Sequence, residues 1–151
     1  MNNGEAEIVA DEKLRCAVSP SPTGRVAIPS TLGGLSVTCI GGEVFFGCGG
    51  LKEVEIPSRV TSIGIQAFTG CSALTTMTMP EGVTNISMLA FQGCNGLTSV
   101  TVLGECLTAP NDIFQHCGKL KAIHVPASAK SWAGMKEWQG IPLVFDSELK
   151  K

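Results

Sequence analysis

The chain has 151 residues, a length typical of one domain, and its 11 basic and 13 acidic side chains give a formal net charge of −2. With an isoelectric point near 5.6, it offers no basic surface that would attract nucleic acid or an anionic membrane. It has no run of 18 apolar residues that could insert into a membrane. Its first residues, MNNGEAEIVADEK, lack the basic and apolar stretches of a signal peptide.

Residues 1–24 precede the central part of the chain, which repeats with a period of 23 residues, and do not share that period. Apolar residues alternate at Leu14, Cys16 and Val18, after a turn near Asp11 and Glu12. This pattern predicts a short β-hairpin. We therefore expect residues 1–24 to form an N-terminal cap.

The central part of the chain is an internal repeat. Five columns of apolar residues recur at a step of 23. Columns that share one period over four copies identify a repeat architecture. The columns are Phe45, Phe68, Phe91 and Phe114; Cys48, Cys71, Cys94 and Cys117; Leu51, Leu74, Leu97 and Leu120; Val54, Met77, Val100 and Ile123; and Ile56, Met79, Val102 and Val125.

Each copy is expected to form one coil of a solenoid. Apolar residues alternate at Val54 and Ile56, which predicts a short strand with one buried face, and the proline that follows ends it. A second short extended piece carries Val60 and Ile63. No copy can bury its apolar side alone, so the copies must stack with their strands parallel. The sequence predicts a leucine-rich-repeat solenoid of right-handed coils of about 23 residues, built from four clear copies and one partial copy.

The residues after the repeats are expected to close the solenoid. Trp132, Met135 and Trp138 are three apart, which predicts a short helix with one apolar side that ends at Gly140. The segment Leu143–Phe145 is expected to pack on the last coil. The predicted organisation is an N-terminal cap at 1–24, a solenoid at 25–126, a C-terminal cap at 127–145 and a flexible tail at 146–151.

The cysteine column could hold a metal ion or disulfides. Zinc ligands usually come in pairs two to four residues apart, whereas these cysteines are 23 apart. Stacked side chains run parallel rather than toward each other, and seven is an odd number of cysteines. We predict a structural thiol column, Cys48, Cys71, Cys94 and Cys117, that fills a tight turn as small apolar groups. Neither a metal nor a cofactor is expected.

One set of residues could be combined into a catalytic triad. Cys117, His124 and Asp112 supply a nucleophile, a base and an acid. Strand alternation, however, directs the thiol and the imidazole to different faces. A reactive thiol would also need a positive neighbour, for which His116 is the candidate. The chain is therefore not expected to be an enzyme.

The outward face of the long strands is the predicted binding surface. Its side chains are mostly small and rich in threonine, and no Tyr, Trp or Arg stands in its rows as a binding anchor. Threonine also favours strands without any ligand. This strand face consists of Lys52, Glu53, Glu55, Thr75, Thr76, Thr78, Thr98, Ser99, Thr101, Lys121 and His124.

In its repeated columns of Leu, Val, Ile, Phe and Cys, the sequence resembles the BspA-like leucine-rich repeat family, whose pattern is close to LxxVxIPxxVTxIGxxAFxxCxxL. The resemblance covers residues 25–126. Members are typically bacterial or protist cell-surface proteins, so the resemblance implies a cell-surface or extracellular location and adhesion or contact with proteins or glycans. We expect a binding module for a protein or glycan ligand, and the alternative is a structural spacer or assembly scaffold without its own ligand.

Overall fold

A computed structural model describes residues 21–105 and 107–149, together with the strand at residues 5–8. This part of the chain forms short strands and one 3₁₀ turn at Lys130–Trp132. Within it, no helix is long and apolar enough to cross a membrane. The strands are β1 (Glu5–Ile8), β2 (Gly24–Ala27), β3 (Thr31–Leu32), β4 (Leu35–Ile40), β5 (Leu51–Glu55), β6 (Ser62–Ile63), β7 (Thr76–Met79), β8 (Asn85–Ile86), β9 (Ser99–Val102), β10 (Ala122–Pro126), β11 (Glu137–Trp138) and β12 (Ile141–Asp146).

The strands stack into two sheets, which confirms the predicted solenoid. Sheet 1 contains β1, β4, β6 and β8 in parallel order, with β3 antiparallel to β4. Sheet 2 consists of two hydrogen-bonded parts, β2–β5 and β7–β9–β10–β12–β11. Paired residues of successive coils are 23 apart, as for Ile63 with Ile86 and Met77 with Val100. The sequence period is therefore the coil-to-coil register of the structure.

Buried residues of both sheets form one hydrophobic cluster together with the turns that join them. In the turns, Phe45, Phe68, Phe91 and Phe114 stack, with neighbouring ring centroids 5.1, 5.2 and 5.6 Å apart. This spacing is close to the distance of about 4.8 Å between hydrogen-bonded strands. The coil register therefore places each ring directly over the next.

The turns are also tied to each other through the backbone. The Phe45 N–H donates to the Ala67 carbonyl at 2.8 Å, and the Phe68 N–H donates to the Ala90 carbonyl at the same distance. One turn position holds glycine in most coils, with a φ of +76° at Gly70, and the last repeat has His116 there with a φ of +62°. The turn requires a positive φ at this position. Glycine adopts it without strain, whereas the backbone of a residue with a Cβ atom is strained there.

The C-terminal cap is a β-hairpin, and the predicted helix is wrong. Gly134 has a φ of +80°, which no helical residue adopts. Farther on, Gln139 and Gly140 have φ values of +57° and +73° and join the antiparallel strands β11 and β12. Two left-handed residues in a two-residue loop are typical of a type I′ turn, whose twist matches that of a hairpin. The three-residue spacing of Trp132, Met135 and Trp138 therefore does not arise from a helix.

The two tryptophans of the cap are nevertheless buried. Trp132 and Trp138 meet edge to face with ring centroids 5.5 Å apart, and Trp138 also meets the edge of the Phe114 ring. The Trp132 indole N–H donates to the carbonyl of Gly104 at 3.0 Å. The cap thus covers the end of the phenylalanine stack with Trp138, against which Trp132 packs.

The last strand extends sheet 2 by one more member. β12 pairs in parallel with β10, and Leu143 of β12 packs against the core. Val144 and Phe145 are 40% and 43% exposed. The segment Leu143–Phe145 therefore lies on the last coil with two apolar side chains in contact with solvent.

At the other end of the chain, β1 pairs in parallel with β4. The residues predicted to complete the N-terminal hairpin, Leu14, Cys16 and Val18, lie outside the described residues. After β2 the chain forms a hairpin, in which β3 and β4 are joined by Gly33 and Gly34.

Candidate functional site

The strand face lies on four neighbouring strands of sheet 2. Thr76 pairs with Ser99 and Thr78 with Thr101, and His124 continues the second of these rows. Eight of the predicted residues are exposed. They are Lys52, Glu53 and Glu55 on β5, Thr76 and Thr78 on β7, and Thr75, Thr98 and Lys121 directly before β7, β9 and β10; Ser99, Thr101 and His124 are half-buried.

Sheet 2 is interrupted within the strand face. β2 pairs with β5 and β7 pairs with β9, but no ladder joins β5 to β7. Among the residues that the structure describes there, the Thr75 N–H donates to the Lys52 carbonyl over 3.4 Å, a long hydrogen bond. Beyond this bond no ladder pairing continues between the two strands. We call this interruption the seam.

The seam opens a cleft of about 340 Å³ in the outer face of sheet 2. Glu53 and Glu55 stand on one side of the cleft and Thr76 and Thr78 on the other. Four of the predicted binding residues are thus brought together around one concave site. The other lining residues are Val54, Ile56, Pro80 and Leu103.

A basic residue that the sequence analysis missed stands beside this cleft. The Arg25 guanidinium lies 2.7 Å from a carboxylate oxygen of Glu55 and 3.7 Å from one of Glu53. All three side chains are more than half exposed, so the ion pairs add little stability. The sequence contains a signal for this residue, because Ile28 and Pro29 match Ile56 and Pro57, and the same offset aligns Arg25 with Glu53, its partner in the β2–β5 ladder. Arginine is a frequent anchor in protein interfaces.

The four cysteines of the thiol column lie in the turns, one in each coil. Cys48, Cys71 and Cys94 are buried and Cys117 is half-buried, and none of the four is half of a disulfide. Cys71 donates to the Phe45 carbonyl at 3.2 Å, and Cys94 and Cys117 repeat this bond one and two coils later. The pKa of the Cys94 thiol is raised by its hydrogen bond with the Cys117 side chain and by burial. The thiols thus serve as small donors that satisfy turn carbonyls in the core.

The structure separates the members of the hypothetical triad. Cys117 and Asp112 line one pocket beside the C-terminal cap, and His124 does not line it. His124 is in β10, paired with Thr101 on the strand face. A base on this face cannot take a proton from a thiol that donates into the turn.

Known structures share this architecture. A leucine-rich repeat protein of T. pallidum superimposes with a TM-score of 0.64 at 27% identity, over 84% of this chain and 56% of that one. A leucine-rich repeat protein from Bacteroides ovatus gives 0.59 at 21% identity, over 93% of this chain and 42% of that one, a likeness that concerns the fold alone. The chain therefore spans about half the length of these proteins. No curated protein matches the sequence.

The repeat sequence itself matches a family model. The model of the BspA type leucine-rich repeat region matches residues 27–134 in six copies. This range contains the thiol column, the phenylalanine stack and the seam, and it covers well over half of the chain. The chain belongs to the BspA-type leucine-rich repeat family.

Proposed function

We propose that this chain is the non-catalytic, protein- or glycan-binding repeat module of a cell-surface or secreted protein, with a role in adhesion. The contact is made by the strand face, centred on the cleft at the seam. The observation that carries this proposal is that Glu53, Glu55, Thr76 and Thr78 meet around one concave site.

The chemistry of the cleft suits a polar ligand. Threonine hydroxyls both donate and accept hydrogen bonds, and the two carboxylates accept them. The hydroxyl groups of a glycan, or the backbone and polar side chains of a protein segment, can pair with such a set. Val54, Ile56 and Leu103 add apolar surface to the cleft, against which the apolar face of a sugar ring or a small side chain can pack.

The location rests on the family, whose members are typically cell-surface proteins. Repeat architecture supports the binding role, because stacked coils present one extended and regular surface. The strand face extends over β5, β7, β9 and β10, so a ligand longer than the cleft can continue along its rows.

A binding screen against matrix proteins and glycans, followed by variants, tests the proposal. We expect replacement of Thr75, Thr76, Thr78 and Thr98 by alanine to weaken binding of the identified ligand strongly. The matched control replaces the exposed threonines Thr61, Thr84 and Thr108, which lie by sheet 1, and should bind normally. Normal binding by the quadruple variant would contradict the assignment to the strand face.

One observation favours the alternative function, a spacer or assembly scaffold. Val144 and Phe145 are exposed on β12, beyond the two residues of that strand that pair with β11, and an exposed apolar strand edge can pair with another chain. This alternative predicts self-association that replacement of both residues by threonine abolishes, and no ligand in the screen. Sedimentation velocity of the two proteins distinguishes it from the binding module.

A further inference from the structure

A second candidate site lies at the C-terminal end of the solenoid, away from the seam. It is a pocket of about 250 Å³ between the turn of the last repeat and the hairpin of the cap, and we call it the cap pocket. We propose that the cap pocket binds the cationic side chain of a lysine or arginine from a partner protein. Its lining includes Asp112, Gln139, Phe114, Cys117 and Ile141.

Two buried oxygen atoms in the lining call for a hydrogen-bond donor. The Oδ1 atom of Asp112 and the Oε1 atom of Gln139 are both buried, and neither has a hydrogen-bond partner among the residues that the structure describes. A buried acceptor without a donor is unfavourable, and more so when it carries charge. Buried polar groups in folded proteins are almost always paired, so this arrangement indicates a donor from outside the chain.

The local backbone holds both acceptors at the pocket. Gln139 occupies the first position of the type I′ turn, with a φ of +57°, although glycine or asparagine adopts this conformation at lower cost. Asp112 follows Glu43, Gln66 and Leu89 in the repeat column. Of the two acids in this column, only Asp112 belongs to the coil whose turn lines the cap pocket.

The remaining walls favour an organic cation. Phe114 and Ile141 provide apolar surface and an aromatic ring beside the two acceptors. Lysine and arginine combine several donors with an aliphatic stem that packs on apolar side chains, and their positive charge is attracted to an aromatic face. A hydrated Ca²⁺ or Mg²⁺ ion would instead prefer a shell of oxygen atoms. Pockets for drug-sized ligands usually start at about 300 Å³, so the smaller cap pocket suits a single side chain.

The test uses small probes on the intact chain. Nα-acetyl-L-lysine methylamide and Nα-acetyl-L-arginine methylamide are titrated while backbone amide shifts are recorded by NMR. We expect saturable shifts at 111–117 and 139–141, with dissociation constants on the order of millimolar for so small a contact. The uncharged norleucine analogue, which keeps the stem and lacks the ammonium, should cause no such shifts.

Variants separate recognition by charge from a simple fit of shape. Asp112→Asn keeps the shape of the side chain and should weaken binding of the lysine probe by roughly tenfold, because it removes the charge-assisted bond. Gln139→Glu adds a second carboxylate and should tighten binding. The matched control Glu137→Gln changes an exposed acid of the same hairpin that does not line the pocket and should leave binding unchanged.

Several outcomes would overturn the proposal. The first is that neither cationic probe causes shifts up to about 50 mM, well above a millimolar dissociation constant. The second is that the norleucine analogue causes equal shifts. The third is that both pocket variants bind the lysine probe with unchanged affinity. Shifts at these residues with calcium chloride but not with the organic cations would assign the pocket to a metal ion instead. Because Gln139→Glu is independent of Asp112, a folding defect in one variant leaves the other decisive.

Discussion

Replacement of Phe68 by alanine tests whether the phenylalanine stack holds the solenoid together. Phe68 is fully buried, and its ring lies 5.1 Å from that of Phe45 and 5.2 Å from that of Phe91, with interplanar angles of 9° and 2°. Removing a buried phenylalanine costs about 3–5 kcal/mol. Each aromatic pair adds about 0.5–1.5 kcal/mol beyond burial. Because these contributions overlap, we expect the free energy of unfolding to fall by about 4–6 kcal/mol.

Two variants at other positions serve as references for the loss in the free energy of unfolding. Phe114 has one stacked neighbour at 5.6 Å, inclined by 26°, and one edge contact, and it is slightly exposed, so Phe114→Ala should cost about 3 kcal/mol, at the low end of the range. Phe46 lies outside the stack and is only half-buried. Phe46→Ala is therefore expected to cost about 1 kcal/mol. If Phe68→Ala does not fold, Phe68→Leu should still lose about 1–2 kcal/mol.

Urea unfolding followed by two probes measures both the loss and its effect on cooperativity. Both tryptophans of the chain, Trp132 and Trp138, are in the C-terminal cap, so their fluorescence reports on that end, whereas circular dichroism reports on all strands. The stability of stacked repeats depends on the contacts between neighbours. We expect coincident transitions in the original protein and separate midpoints in Phe68→Ala. A loss no larger than that of Phe46→Ala would refute the role of the stack.

Three further predictions concern close contacts, thiols and the cap. A Cβ atom at Gly64 would lie 2.6 Å from backbone atoms of Gly41 and Gly42, whereas one at Gly118 would meet nothing within 4 Å. We therefore expect Gly64→Ala to lower the midpoint of thermal unfolding clearly more than Gly118→Ala does. Equal effects of the two substitutions would contradict this prediction. Iodoacetamide should label the half-buried Cys117 before the buried Cys94 in the native protein, and peptide mass spectrometry that finds the reverse order would exclude this burial pattern. Gly140→Ala strains the type I′ turn and should lower stability by about 1 kcal/mol, as measured by tryptophan fluorescence; an unchanged midpoint would speak against this turn.

The repeat could be predicted because each of its columns is under the same constraint in every coil. Val54 and Met77 have the same environment one coil apart, so one pattern repeats through the chain. The register, the core and the thiol column follow from that pattern. The location of the strand face follows as well, because strand alternation places Thr76 and Thr78 opposite the buried Met77 and Met79.

The ends and the seam could not be predicted in the same way because each occurs once. Trp132 and Trp138 are both buried, but a 3₁₀ turn and a hairpin place them together instead of a helix. The decisive signals were Gly134 and the Gln139–Gly140 pair, which are weak unless the turn geometry is known. The seam depends on how far β5 and β7 approach each other, a distance that the repeat pattern alone does not contain.

The seam has a mechanical consequence. Coil-to-coil hydrogen bonds in parallel sheets run along the solenoid axis. A stretching force along this axis therefore acts along the hydrogen bonds and tends to break them. In sheet 2 this series of bonds is interrupted between β5 and β7, so the load there passes to sheet 1 and to the stacked turns. The first coils should therefore part from the rest at this point under tension. A ligand that contacts Glu55 and Thr78 together would bridge the gap and raise the force that the module withstands.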